Sequence, residues 1–229
     1  MSENVAAGAR RRRLKREGVS PRKSERTRQA ILDAALEFLW TQPFRELTVG
    51  ELMVMAKASR PAFYQYFTDL HQVMEVLLDD LRDEIMSVAA PWLIAEGDPV
   101  PLLRESLTGL VKVCYQRGPI LRAVADAASA DATLEKEWRE FLKAFDDAVA
   151  GRIEQQQAAG LVPPLAARPI AVALNRLDAA LIIDQFGQRP RGNPDDVCES
   201  LTRIWISTLY GRETLSGAVT SARKSKRTK

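Results

Sequence analysis

An all-α fold is expected of this 229-residue chain, for three reasons. Apolar residues recur three and four positions apart through most of the sequence, the spacing of one buried helix face. No stretch sustains the period-two alternation of β-branched residues that a half-buried strand requires. Helix punctuation is dense, with Thr48, Ser59 and Asp69 ahead of apolar runs and Pro43, Gly160 and Pro163-Pro164 behind them. The length suits one or two compact units with a sizeable core.

Residues 1–25 mix Gly, Ser, Pro and basic side chains without periodicity and read as a basic disordered arm. From Arg26 to Gln42, Ile31, Ala35, Phe38 and Leu39 recur at helical spacing, and Pro43 follows the stop. Thr48-Val49-Gly50-Glu51 has the form of a capping box, with Val49, Leu52, Met53 and Ala56 on the apolar face of the helix it opens. Ser59 is placed to cap a third, short helix. Pro61 is tolerated in its first turn, where the amide it lacks is unbonded anyway. Thr68-Asp69 opens a fourth helix reaching about Ala89. Pro91, Gly97, Pro99 and Pro101 read as a linker, and further helices are expected near 101–117, 119–129, 131–159, 168–187 and 195–210. The expected whole is about nine helices. A first domain occupies 26–90, a second 91–212, and a basic disordered tail 213–229.

Charge is unevenly spread. The chain carries +3 overall, but residues 1–28 hold ten Lys/Arg against three Glu, and residues 211–229 hold six against one. The two ends therefore carry +7 and +5, leaving −9 between them. A basic arm on an acidic body fits a polyanion met at one end; a solvated tail fits the charge alone equally well. Cys114 and Cys198 lie far apart without CxxC spacing, which fits reduced thiols in the cytoplasm better than a disulfide scaffold. No apolar stretch of a secretory signal follows the basic start, and no run approaches a membrane span.

Enzyme chemistry finds little support. His71 is the only histidine, so there is no HExxH, no His/Cys metal cluster and no recognisable Ser-His-Asp set. No glycine-rich phosphate loop follows a strand, and no cofactor is expected. Asp126, Asp131, Asp146, Asp147 and Asp184 are scattered over expected helix surfaces.

Two short helices joined by a tight turn behind a longer supporting helix make a helix-turn-helix, whose second short helix enters the DNA major groove. Here that helix is Arg60-Pro61-Ala62-Phe63-Tyr64-Gln65-Tyr66-Phe67. With Phe63 and Phe67 inward, Arg60, Ala62, Tyr64, Gln65 and Tyr66 are left outward or flanking. Arg can bond guanine bidentately, Gln can pair with adenine, and Tyr hydroxyls can hold phosphates. Half-buried packing is the competing use of the tyrosines.

The run Leu47-Thr48-Val49-Gly50-Glu51-Leu52, followed by Ala56-Lys57-Ala58-Ser59-Arg60-Pro61-Ala62-Phe63-Tyr64-Gln65-Tyr66-Phe67, resembles the signature of TetR-family regulators. The resemblance covers about residues 26–88. It implies a homodimer that binds a palindromic double-stranded DNA operator and acts as a repressor. It also implies that Thr48 bonds a phosphate, that Ser59, Arg60, Pro61, Ala62 and Gln65 face the DNA, and that Tyr64 and Tyr66 fix its backbone. Two positions depart from the pattern. Lys57 stands at a turn where many relatives have Gly, which takes a left-handed conformation cheaply, and Leu70 where the family often has Lys.

The second half is rich in Ala, Leu, Ile and Val with bulky residues at wide intervals. Trp92, Tyr115, Trp138, Phe141, Phe145, Phe186 and Trp205 either line a cavity or fill a core. The stretches Ala173–Asp178 and Ile204–Gly211 resemble a mycobacterial branch of the TetR family. That branch has an elongated, mostly apolar pocket for a hydrophobic small-molecule effector, with an asparagine supplying a key amide contact. The resemblance places Asn175 at that asparagine and Trp205 at a pocket tryptophan; Trp138, Phe141 and Phe145 have the helical spacing to join them, and Tyr115, one of the bulky residues above, is expected to line the pocket too. Asp178 stands where the branch has a second asparagine, which opens the pocket to more basic or hydrogen-bond-donating ligands. A plain interhelical hydrogen bond is the competing role for Asn175. Leu174, Leu177 and Leu181, with Leu201, Ile204 and Thr208, are expected to form the dimer face.

Overall fold

The computed structural model describes residues 21–211. Most of the expected basic arm and the whole expected tail at 213–229 lie outside the described residues. Helix α1 spans Pro21–Leu39, so residues 21–25, expected in the arm, are helical. A short 3-10 turn, Phe44–Glu46, leads to α2 (Val49–Met55) and α3 (Arg60–Phe63). Then come α4 (Leu70–Ile94), α5 (Pro99–Ala128), α6 (Ala132–Ala158), α7 (Ala167–Phe186) and α8 (Pro194–Leu209). The described residues contain no strand, as the sequence predicts.

There are eight helices among the described residues rather than nine, because α5 runs unbroken through Gly118-Pro119. A residue before proline is normally driven out of the helical region by a clash between the proline ring and its own Cβ. Gly118 has no Cβ, so the helix continues. The expected boundary at 90/91 also moves, since α4 runs through Pro91 to Ile94. Proline inside a helix disturbs the hydrogen bonds of the turn before it. Ser106 of α5 repairs them: its hydroxyl accepts the Trp92 amide at 3.0 Å and donates to the Ala89 carbonyl at 3.2 Å. The true break is Ala95–Asp98, where Asp98 caps α5 and Pro99 starts its first turn.

Helices α1 to α3 form a small head. Ile31, Leu39, Leu52, Met53 and Phe63 are fully buried there. Helices α4 to α8 form the body, with α5 at its centre in contact with α4, α6, α7 and α8. Leu174 and Leu201, expected on a dimer face, are instead buried inside their own chain. Each falls on the face of its helix that meets α5 and its neighbours. Leu177, Leu181, Ile204 and Thr208 stay half-buried at the surface of α7 and α8. No helix of the described residues is long and apolar enough to cross a membrane.

Candidate functional site

The head presents one exposed polar edge. Thr48 caps α2, accepting the Glu51 amide at 3.2 Å and donating its hydroxyl to the Glu51 carboxylate at 2.9 Å. The expected capping pair forms, with the Glu51 side chain returning to the threonine hydroxyl. At the far end of α2, Lys57 donates to the Val54 carbonyl and Ala58 to that of Met53, a Schellman closure. That closure puts Lys57 at φ 53°, the left-handed region foreseen for it. A side chain there costs about 1 kcal/mol relative to glycine. Lys57→Gly is expected to raise stability by about 0.5–1 kcal/mol, the lower end reflecting the greater freedom of glycine in the unfolded chain. Urea denaturation midpoints measure it; an unchanged or lower midpoint contradicts the strain.

After that turn, Ser59 begins α3 with extended backbone, but its side chain makes no capping bond, contrary to expectation. The helix is short, yet amide bonds from Gln65 to Ala62 and from Tyr66 and Phe67 to Phe63 continue its winding. Phe63 and Phe67 are buried, with ring centroids 5.7 Å apart, so they anchor the segment from below. Ser59, Arg60, Pro61, Tyr64 and Gln65 are exposed, whereas Ala62 and Tyr66 are half-buried. Tyr64 is 58% exposed, too open for a packing residue. Asp69 then caps α4 by accepting the Gln72 amide, and the Gln72 side chain accepts the Thr68 amide at 2.7 Å.

Among the described residues, two side-chain junctions tie head to body. His71, at the start of α4, meets the Phe44 ring of the head edge to face with centroids 5.7 Å apart, and lies 2.6 Å from Asp131, the cap of α6. This contact and the bonds from the first amides of α6 hold the Asp131 carboxyl below its usual range. His71 is thus part of this junction. The second junction is larger. Arg189, in the loop between α7 and α8, pairs with Glu37 of α1 at 3.0 Å. Arg189 and Arg191 place their guanidinium groups 4.7 and 5.3 Å from the Trp40 ring centre. Arg191 also lies 3.7 Å from the Tyr115 ring centre and donates to the Tyr115 carbonyl, while Arg122 donates to the Leu39 carbonyl.

Inside the body, α4 to α8 enclose a cavity of about 100 Å³ with almost wholly apolar walls. Asn175, Asp178, Trp205, Phe141 and Phe145 all line it. Trp138 and Tyr115 do not, so that part of the expected lining is corrected. Trp138 stacks behind Phe141, with centroids 5.6 Å apart, and Tyr115 belongs to the junction with the head. Trp92, Ser106 and Cys114 complete the polar and aromatic part of the wall. Ser106 and Cys114 carry no sequence signal that sets them apart from ordinary core positions. The Arg189, Arg191 and Trp40 cluster was also missed, because cation–π pairs between distant segments leave no local pattern.

The polar side chains of the cavity are held from behind. Asn175 donates its amide to Asp146 at 2.9 Å, and Arg176 makes two bonds to the same carboxylate at 3.0 and 3.2 Å. Asn175 therefore makes the interhelical bond and lines the cavity at once. Asp178 accepts the Trp205 indole N–H at 2.9 Å, and burial pushes its carboxyl up to about 7. Trp92 meets Trp205 edge to face at 5.6 Å and is tied through its indole N–H to Tyr210. Burial, and secondarily the charges of Asp178 and Glu84, push the Cys114 thiol well above its usual range, so it stays neutral.

Comparison with known proteins gives two family matches. Residues 31–74 match the bacterial regulatory proteins of the tetR family, and residues 103–211 match the C-terminal domain of the transcriptional regulator EthR. The HTH-type transcriptional regulator EthR of Mycobacterium tuberculosis is 26% identical over 187 residues, covering 80% of this chain and 86% of that protein. Its counterpart in Mycolicibacterium smegmatis is 27% identical, over 80% of this chain and 85% of that protein. Among solved structures, a TetR-family regulator from Syntrophomonas wolfei superposes with a TM-score of 0.66 at 17% identity, covering 80% and 94% of the two chains. These are regulators rather than enzymes. With the tetR-family helix-turn-helix at one end and an EthR-type domain at the other, the chain belongs to the TetR family of transcriptional regulators.

Proposed function

We propose that the protein is a repressor that binds a palindromic operator as a homodimer and is released by a hydrophobic small molecule held in the body cavity. One observation carries this reading. Helix α7 supplies Asn175 and Asp178 to the cavity wall and ends at the loop whose Arg189 and Arg191 grip Glu37 of α1 and Trp40 just beyond its end. A ligand that pushes α7 outward therefore moves the head directly. It shifts DNA affinity only to the extent that it binds the DNA-competent and incompetent arrangements unequally. The cavity is small when empty, so a ligand of drug size must displace its walls, which supplies that inequality.

On the DNA side, Arg60 and Gln65 are the base-reading groups, Ser59, Pro61 and Ala62 approach the groove, and Thr48, Tyr64 and Tyr66 hold phosphates. Thr48 must release Glu51 to do so, because its hydroxyl is committed to that carboxylate. The half-exposed apolar residues Leu177 and Leu181 of α7 and Ile204 of α8, with Thr208 beside them, are where a second copy packs. A two-fold pair of heads then reads half-sites about 34–36 Å apart, or a longer multiple-turn spacing. The protein acts in the cytoplasm, where its DNA is.

Gel shift against the DNA upstream of its own gene tests the reading. Arg60→Ala is expected to weaken specific binding by about 1–3 kcal/mol and to relax preference at one base pair in each half-site. Unchanged affinity and base preference would remove Arg60 from the reading set. No binding by the unaltered protein to any such DNA, in the presence or absence of ligands, would remove the function.

A further inference from the structure

The cavity wall contains one ionisable carboxyl, Asp178, and no basic side chain. Trp205 occupies Asp178 Oδ1, and Oδ2 has no hydrogen-bond partner among the described residues. Asn175 lies three residues earlier on the same face of α7. Its amide N–H is committed to Asp146, which leaves its acceptor, Oδ1, without a partner among the described residues. Arg176 cannot answer either group, because its guanidinium is turned away to Asp146 and is 44% exposed. Two acceptors on one helix face thus border an apolar space that offers no cation of its own. A buried carboxylate in that setting is costly until a positive, hydrogen-bonding group joins it.

We propose that the effector is an apolar amine whose ammonium group pairs with Asp178 Oδ2 and donates to Asn175 Oδ1, its hydrocarbon part lying among Trp92, Phe141, Phe145 and Trp205. This rests on the reading that the cavity is the effector site. The aromatic walls suit the hydrocarbon part and add a favourable face toward a cation. A carboxylic acid of the same length is excluded by the same wall, since it brings a second negative charge to Asp178 with nothing to neutralise it.

Protonation sharpens the discrimination. The carboxyl of Asp178 sits at about 7, so it is largely neutral at pH 6 and ionised at pH 8, while an alkylamine stays charged at both. The groups around it do not blur this window. From α5 the Cys114 thiol stays neutral, and Glu84 of α4 is paired with Arg117. From α6, Asp146 is held by Arg176 and Asn175, and α8 offers the indole of Trp205.

Isothermal titration of the full-length protein with n-hexylamine, 1-hexanol and hexanoate tests the proposal. Hexylamine is expected to bind most tightly at pH 8 and about tenfold more weakly at pH 6, following the ionised fraction of Asp178. Asp178→Asn is expected to weaken hexylamine about 10- to 100-fold while leaving hexanol unchanged. Ala179→Trp, which fills the cavity from a lining position, is expected to block both. If hexanol matches hexylamine, Asp178→Asn alters neither and Ala179→Trp blocks both, the cavity is a site but its ligand is not an amine. If none of the three binds, or binding ignores Ala179→Trp, the effector-site reading falls and the proposal with it.

Discussion

Replacing Gly118 by alanine is expected to cost the folded protein about 2–3 kcal/mol, although alanine is the better helix former. A Cβ at position 118 meets backbone: 2.3 Å from the Phe186 carbonyl oxygen, 2.6 Å from its carbon and 2.9 Å from the Phe186 Cβ. A flexible side chain can swing aside from such a contact, but the last turn of α7 cannot. The new Cβ also faces the ring of Pro119, which disfavours the helical conformation the residue must keep. These two costs oppose a propensity gain of about 1 kcal/mol and exceed it. Relief requires α5 and α7 to part at Phe186, immediately before the loop that holds Arg189 and Arg191. The same substitution is therefore expected to weaken DNA binding in the absence of any ligand. Urea denaturation and gel shift together check it. A stability change within about 0.5 kcal/mol would show that the crossing is looser than the structure places it.

Much of this arrangement was legible in the sequence, and the reasons are local. The Thr48–Glu51 cap, the inward pair Phe63 and Phe67, and the left-handed turn at Lys57 each depend on residues within a few positions of one another. Family resemblance then placed Asn175 and Trp205 on one cavity, where five of the seven expected lining residues meet. What the sequence misjudged depends on distant neighbours. Proline read as punctuation at Pro91 and Pro119, yet Ser106 and Gly118 let the helices continue. Periodicity put Leu174 and Leu201 on helix faces without saying which face another helix of the same chain would cover. Tyr115 has the aromatic character of a pocket residue, but an arginine 76 positions away claims its ring and carbonyl for the head junction.

Asp178→Asn is expected to stabilise the ligand-free protein at pH 8 by about 2–4 kcal/mol, the largest single effect foreseen. The folded-state value of about 7 lies above the ordinary value of 3.8, so between them the folded protein binds a proton that the unfolded chain releases. Stability therefore falls as pH rises through that window, and the whole cost is present above pH 7. The rise from 3.8 to about 7 sets an upper bound of about 4 kcal/mol, reduced by whatever water the cavity admits. Asparagine keeps the acceptor for the Trp205 indole and removes the charge, so its curve lacks this decline. The two curves are expected to meet near pH 4, separate up to pH 7 and run parallel above it. Other shifted groups, such as Asp131 and Glu137, are common to both proteins and cancel in the difference. Denaturation midpoints at pH 4, 6 and 8 measure the gap, and parallel curves throughout would mean that Asp178 ionises freely. A gap that hexylamine closes at pH 8 ties the stored cost to the ligand: the cation stabilises the wild-type carboxylate and has nothing to neutralise in the asparagine variant.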